Sequence, residues 1–247
     1  AFVNVATTPL LEAMHAAVAA GFSILPIDHR TKRPAMHMLP IDPATGKRTW
    51  LPFTNRKPTD EEINSWANAK AFAVICGEIS GGLEILDFDV AGFYEPWRES
   101  VGELAEGLPV QRTGGGGYQV LYRAPNRPGN AKLAHSPKAD AVDGREVAIE
   151  TRGEGGYAVI APSIHPTGNQ YQWIAGSLEN VPPISIARAD ALKAAAVQLC
   201  QAPQTRQQQA QAEQAAAKVK ERRDRANLNG DTSVIDCLLY TSPSPRD

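Results

Sequence analysis

Two aspartates one residue apart, Asp87 and Asp89, close an apolar run spanning residues 83–90. A run of this length reads as a strand, and a strand places residues i and i+2 on one face. Two carboxylates held side by side repel each other unless a positive group lies between them. A divalent cation such as Mg²⁺ or Mn²⁺, which takes oxygen ligands, meets that need. Two solvated acids at a strand end would be spelled the same way, so the pair alone leaves both readings open.

Further along, Glu150 lies inside a second strand-like run, residues 146–152, whose alternation puts Glu150 and Arg152 on one face. An acid within an otherwise apolar strand is costly unless it is paired or metal-bound. A salt bridge to Arg152 or Arg145 is the competing explanation. Between two short strands sits Arg112-Thr113, then the tetraglycine 114–117, then Tyr118-Gln119. Consecutive glycines let the backbone approach a ligand closely and present N–H groups that can cradle phosphate. This is neither a P-loop, since no Lys-Ser/Thr follows, nor a dinucleotide fingerprint, since the next element reads as a strand. A pliant hairpin is the alternative. His165 lies in a turn-rich segment, residues 161–168, that holds a polar side chain out of the core.

The elements that must position these groups alternate irregularly. Residues 9–21 carry apolar positions at helical spacing and end on Gly21. A strand is expected over 22–27, followed by a polar turn with Arg30, Lys32 and Arg33, then a proline-rich loop over 35–58. Thr59 and Glu62 spell a capping box that opens a helix running to about residue 69. Strands over 71–77 and 83–90, a helix over 95–106 and strands over 110–113 and 118–123 come next. A Pro/Gly/Asn-rich loop is expected over 124–144, then strands over 146–152, 157–161 and 171–174. Helices and strands mix without strict alternation, which predicts an α+β domain around a mostly antiparallel sheet.

With 247 residues, 43% hydrophobic and 21% charged, the chain has the composition of a soluble globular protein. A net charge of −2 announces no global basic field, although a local basic cleft is compatible with it. No apolar stretch approaches the ~20 residues of a membrane span, and no export signal is read. Cys76, Cys200 and Cys237 show no zinc or disulfide spacing, so a reducing cytoplasm is the expected location. Composition turns to Ala, Gln, Lys and Arg from residue 187, which sets the expected organisation. Residues 1–186 read as the globular domain, 187–235 as a helical Ala/Gln-rich linker or tail, and 236–247 as a non-native tail that resembles a translated sequencing adapter. Since residue 1 is Ala, the natural start is expected to lie upstream.

Taken in order, Asp87-Phe88-Asp89, the segment from Arg112 to Gln119, the segment from Ile149 to Tyr157 and Ala161-Pro162-Ser163-Ile164-His165 resemble the N-terminal domain of bifunctional DNA primase/polymerases. This prim-pol family belongs to the archaeo-eukaryotic primase superfamily and is frequent in phages and plasmids. The openings Gly21–Pro26 and Lys32–Pro34, and Trp66 followed by Ala73–Gly77, are similar to it too, and the likeness covers roughly residues 10–175. The resemblance implies an RRM-like antiparallel sheet flanked by helices. It also implies that Asp87, Asp89 and Glu150 are catalytic metal ligands, with Glu150 in place of the usual Asp. Such a set holds two Mg²⁺ or Mn²⁺ ions ~3.5–4 Å apart. One activates the primer 3′-hydroxyl and the other stabilises the leaving pyrophosphate. Nucleotide contacts would come from Arg112, Thr113, Gly115, Gly116, Gln119, His165 and Lys32. The implied partners are single-stranded DNA template, primer and (d)NTPs, with a helicase domain following on the same chain.

One position departs from the family. Its second motif normally ends in His, which contacts nucleotide phosphates, whereas this chain has Gln119. A neutral amide can donate a hydrogen bond but cannot become cationic. Two other function classes therefore stand beside template-directed nucleotidyl transfer: a catalytically silent single-stranded nucleic-acid-binding module, and a metal-dependent nuclease built on the same acids.

Overall fold

The computed structural model describes residues 8–125 and 129–201. Its elements in chain order begin with α1 (Pro9–Ala19), β1 (Ile24–Asp28), β2 (Arg33–Pro34), α2 (Asp60–Ser65), β3 (Ala71–Ile75) and β4 (Leu83–Phe88). They continue with α3 (Tyr94–Val101), β5 (Val110–Arg112), β6 (Tyr118–Arg123), β7 (Ala131–Pro137), β8 (Arg145–Arg152), β9 (Tyr157–Val159), β10 (Gln172–Ala175) and α4 (Ile186–Gln198). Short 3₁₀ turns fill several connections, including 36–38 and 51–54 inside the proline-rich loop.

The strands form two sheets, not the single sheet that the sequence suggests. One has the order β2-β1-β3-β9 and the other β10-β5-β6-β4-β8-β7. Every pairing between named strands is antiparallel. The α+β class holds, with α1 and α2 beside the smaller sheet and α3 and α4 beside the larger one.

Period-two alternation along β4 divides its side chains between two cores. Leu83 and Ile85 join a cluster with Leu25, Phe72 and Val74 of the smaller sheet, with Met14 of α1, and with Phe22 before β1 and Trp66 at the end of α2. Leu86 and Phe88 point the other way, into a cluster with Trp97 of α3 and Leu192 of α4. Burying a Leu or Phe side chain contributes ~1.5–3 kcal/mol, so both faces of β4 are firmly held. Asp87 shares the face of Ile85, at the rim of the first cluster.

Two local signals produce what they spell. Thr59 Oγ1 accepts from the Glu62 N–H while Glu62 accepts from the Thr59 N–H, the reciprocal capping box. α1 starts on Pro9 with Thr8 as its cap. Two regions differ from the sequence reading. β7 lies inside the stretch expected to be loop, and it is an edge strand whose only named partner strand is β8. Packing also continues past residue 186. α4 buries Ala189, Leu192 and Ala196 in the second cluster, and Leu192 O accepts from Trp97 Nε1 at 3.0 Å. Lys193 reaches the buried Glu84 at 3.5 Å, and Tyr122 Oη donates to the same carboxylate at 2.8 Å. Small alanines bury well against a sheet yet give little apolar stripe, which is why composition suggests a linker. The remainder of the expected linker and the adapter-like tail lie outside the described residues.

Candidate active site

A row of directly paired residues crosses the larger sheet on one face: Lys132, Glu150, Asp87, Gln119, Gln111 and Trp173. Each belongs to a different strand, from β7 at one edge to β10 at the other. The row runs from a cation through two acids and two amides to an aromatic ring. Directly opposed residues in an antiparallel pair place their Cβ atoms ~4.5–5.5 Å apart, so register alone brings Glu150 against Asp87.

Asp89 follows one residue beyond the end of β4 and joins them. One carboxylate oxygen from each of Asp87, Asp89 and Glu150 lies within 4.8 Å of the others. Asp87 is buried, Glu150 half-buried and Asp89 exposed at the mouth. The acid cluster opens on a cavity of about 240 Å³ whose lining includes Lys32, Gln119, Asn130, Arg152, Tyr157 and Tyr171. Lys32 stands there in a left-handed conformation, φ 58°, at the turn after β1.

Electrostatics follow from this crowding. Burial, and then the neighbouring Asp89 charge, push the Asp87 carboxyl well above the ordinary carboxylate range. Burial also raises Asp89 and Glu150, against the opposing pull of Arg152 on each. Arg152 itself loses by burial, but the charges of Glu150, Asp87 and Asp89 outweigh that and raise it. Its guanidinium pairs with Glu150 Oε1 and lies 3.6 Å from Asp87 Oδ2.

Gln119 is fixed by a directional chain. The Ala161 N–H donates to Gln111 Oε1 at 2.9 Å, so the Gln111 amide nitrogen must face the other way. That nitrogen donates to Val159 O at 2.9 Å and to Gln119 Oε1 at 2.6 Å. With its oxygen engaged, Gln119 turns its own NH₂ toward Asp87, with which its side chain hydrogen-bonds. Both glutamines are buried. Gln119 is thus committed to Asp87, and it carries no titratable group.

The other expected site residues divide. Arg112, Thr113, Gly115 and Gly116 line a different hollow of about 420 Å³, together with Thr167, Asn169, Gln170 and Gln172. Thr113 closes the loop, donating its N–H to Gly117 O at 2.9 Å and accepting the Gly117 N–H on Oγ1 at 3.0 Å. A Cβ on Gly117 would stand 2.2 Å from Phe88 O, so glycine is required where the loop meets the end of β4. His165 packs on the loop, where a Cβ on Gly114 would lie 2.3 Å from its own Cβ. Its ring is held by Thr167 at 3.0 Å, and its centroid is 5.9 Å from that of Tyr171. Burial and then Lys32 lower its pKa. The glycines that line the acid cavity are Gly155 and Gly156, from the β8–β9 turn. Gln111, Asn130, Tyr157 and Tyr171 join the site without having been singled out in the sequence. The signal for Arg152 was its i+2 spacing from Glu150.

A family model described as bifunctional DNA primase/polymerase, N-terminal, matches residues 13–189. The chain belongs to this family. No curated protein matches it. Membership gives the prim-pol domain primase/polymerase nucleotidyl transfer as its general function, with DNA and nucleotides as substrates. Among the described residues no helix is long and apolar enough to cross a membrane.

The donors in this prim-pol domain suit a divalent cation. They are hard carboxylate oxygens from three segments, and the set includes a buried acid whose ionisation is costly without a cation. Oxygens on one Mg²⁺ with ~2.0–2.1 Å bonds lie at most ~4.2 Å apart. Small side-chain rotations from the observed spacing reach that.

Proposed function

We propose that this domain is a template-directed nucleotidyltransferase, a DNA primase and polymerase that works by a two-metal mechanism in phage or plasmid replication in the cytoplasm, with a helicase as partner. The supporting observation is the meeting of Asp87, Asp89 and Glu150 within 4.8 Å at the mouth of a polar cavity, in a chain of the prim-pol family. Acids gathered this closely without a cation would repel one another and the DNA backbone alike.

Mg²⁺ or Mn²⁺, when bound, supplies Lewis acidity for the primer hydroxyl and charge neutralisation for the leaving pyrophosphate. The chain's own groups do the rest. Asp87, Asp89 and Glu150 hold the ions, and Gln119 keeps the Asp87 carboxylate oriented by donating to it. Lys32, on the cavity wall, offers a positive charge to the triphosphate. Arg112, Thr113, Gly115 and Gly116, with His165 packed on them, form the neighbouring hollow that receives another part of the nucleotide or strand.

A primer-extension assay on a single-stranded template with dNTPs and Mg²⁺ or Mn²⁺ tests this. Longer product is expected. An unchanged primer that still binds would indicate the silent nucleic-acid-binding module, and a shortened primer the nuclease.

A further inference from the structure

We propose that Arg152 is the resident counter-ion of the acid cluster, holding the three carboxylates together before a divalent ion arrives and withdrawing when one binds. The proposal rests on the metal-site reading above and adds a residue that governs ion entry.

The geometry places the guanidinium where an ion must come. Arg152 follows Glu150 by two positions on β8, so both side chains leave the strand on one face. In register Arg152 opposes Ile85 while Glu150 opposes Asp87, which sets the arginine diagonally beside the acid pair. Its nitrogens engage Glu150 Oε1 and lie 3.6 Å from Asp87 Oδ2. Glu150 and Asp87 each contribute a ligand oxygen to the triad. A planar guanidinium with five N–H donors suits two neighbouring carboxylates. A cation with ~2 Å bonds to those same oxygens would displace it. The withdrawal has somewhere to go, because Arg152 also lines the open cavity and is 30% exposed.

Charge explains what the exchange achieves. Three carboxyl groups face a single guanidinium, so the cluster stays acidic enough to attract a divalent ion yet less so than the bare triad would be. Arg152 therefore stabilises the ion-free fold and weakens ion binding at once. No carboxylate is stranded while the site waits, and the ion remains exchangeable.

The test is Mn²⁺ binding by titration calorimetry to the whole chain, wild type against Arg152→Met, which keeps bulk and removes charge. The expected result is Mn²⁺ affinity at least about tenfold tighter in the variant, with a lower melting temperature in EDTA and a larger rise on adding Mn²⁺. Equal or weaker affinity in a folded variant overturns the proposal. A purely structural arginine would lower the melting temperature equally with and without the ion, which also overturns it. Should the variant not fold, the Arg152 Nε–H resonance in wild type serves instead. It is expected to shift on Mg²⁺ saturation, and a resonance that stays put refutes the withdrawal. If the wild type binds no Mn²⁺ at all, the metal-site reading itself falls, an outcome separate from the others.

Discussion

Asp87 and Glu150 stand directly opposite each other in the β4–β8 pairing. Like charges directly across an antiparallel pair are destabilising, so a cation between them, or a proton retained on Asp87, relieves this register. The Arg152 guanidinium lies beside both acids, and the third acid, Asp89, brings a further oxygen within 4.8 Å of theirs, a set that could hold a divalent ion.

Asp87→Asn keeps the shape of the side chain and removes its charge. Primer extension is expected to fall by more than about 100-fold, since loss even of residues behind metal ligands costs 10–100-fold. Far-UV circular dichroism should be unchanged. Retained extension in this variant would take Asp87 out of the mechanism.

Stability in EDTA should depend on pH through the same residue. The Asp87 carboxyl, ordinarily at 3.8, is raised to about 7, first by burial and then by Asp89. Between these values the folded chain keeps the proton and the unfolded chain releases it. The contribution is therefore complete below about pH 4 and is lost as pH rises through about 7. Urea unfolding at pH 5 and pH 8 should show wild type losing on the order of a few kcal/mol relative to Asp87→Asn. Saturating Mn²⁺ should reverse the trend, because it binds the ionised form. A pH-independent difference between the two proteins would contradict the assignment.

Gln119→Leu removes the donor that Gln111 aims at Asp87. A hydrogen bond to a charged group is worth ~1.5–3 kcal/mol, so Mn²⁺ affinity near neutral pH should drop roughly tenfold to a hundredfold. Titration calorimetry reads this directly, and unchanged affinity would mean that the amide chain plays no part in holding the ligand.

Leu192→Ala addresses the extent of the packed domain. Leu192 is fully buried against the larger sheet, and such truncations cost 2–5 kcal/mol. A clear drop in thermal midpoint is expected. Stability equal to wild type would return α4 to the status of an appended linker.

Much of this arrangement can be read along the chain, and the reasons for the exceptions are physical. The capping box at Thr59 and Glu62 is local, and so is the alternation that puts Glu150 and Arg152 on one face; both appear as spelled. The meeting of Asp87 with Glu150 is not local. It depends on β4 lying between β6 and β8, a topology that no spacing encodes. The role of Gln111 depends on Val159 of β9 in the other sheet and on Ala161 just beyond it. β7 was hidden because an edge strand pairs on one side only and the surrounding Pro, Gly and Asn residues read as loop. Glycines 114–116 line the hollow with Arg112 and Thr113, whereas the glycines on the acid cavity wall are Gly155 and Gly156. Chain flexibility can be read from composition, but the direction in which a loop opens cannot.

The most direct measurement is anomalous diffraction from crystals of the chain soaked with Mn²⁺ and a nucleoside triphosphate. Mn²⁺ peaks are expected at ~2.0–2.2 Å from carboxylate oxygens of Asp87, Asp89 and Glu150, with phosphate oxygens completing the coordination. Manganese bound elsewhere, or a nucleotide seated away from these three acids, would contradict this expectation.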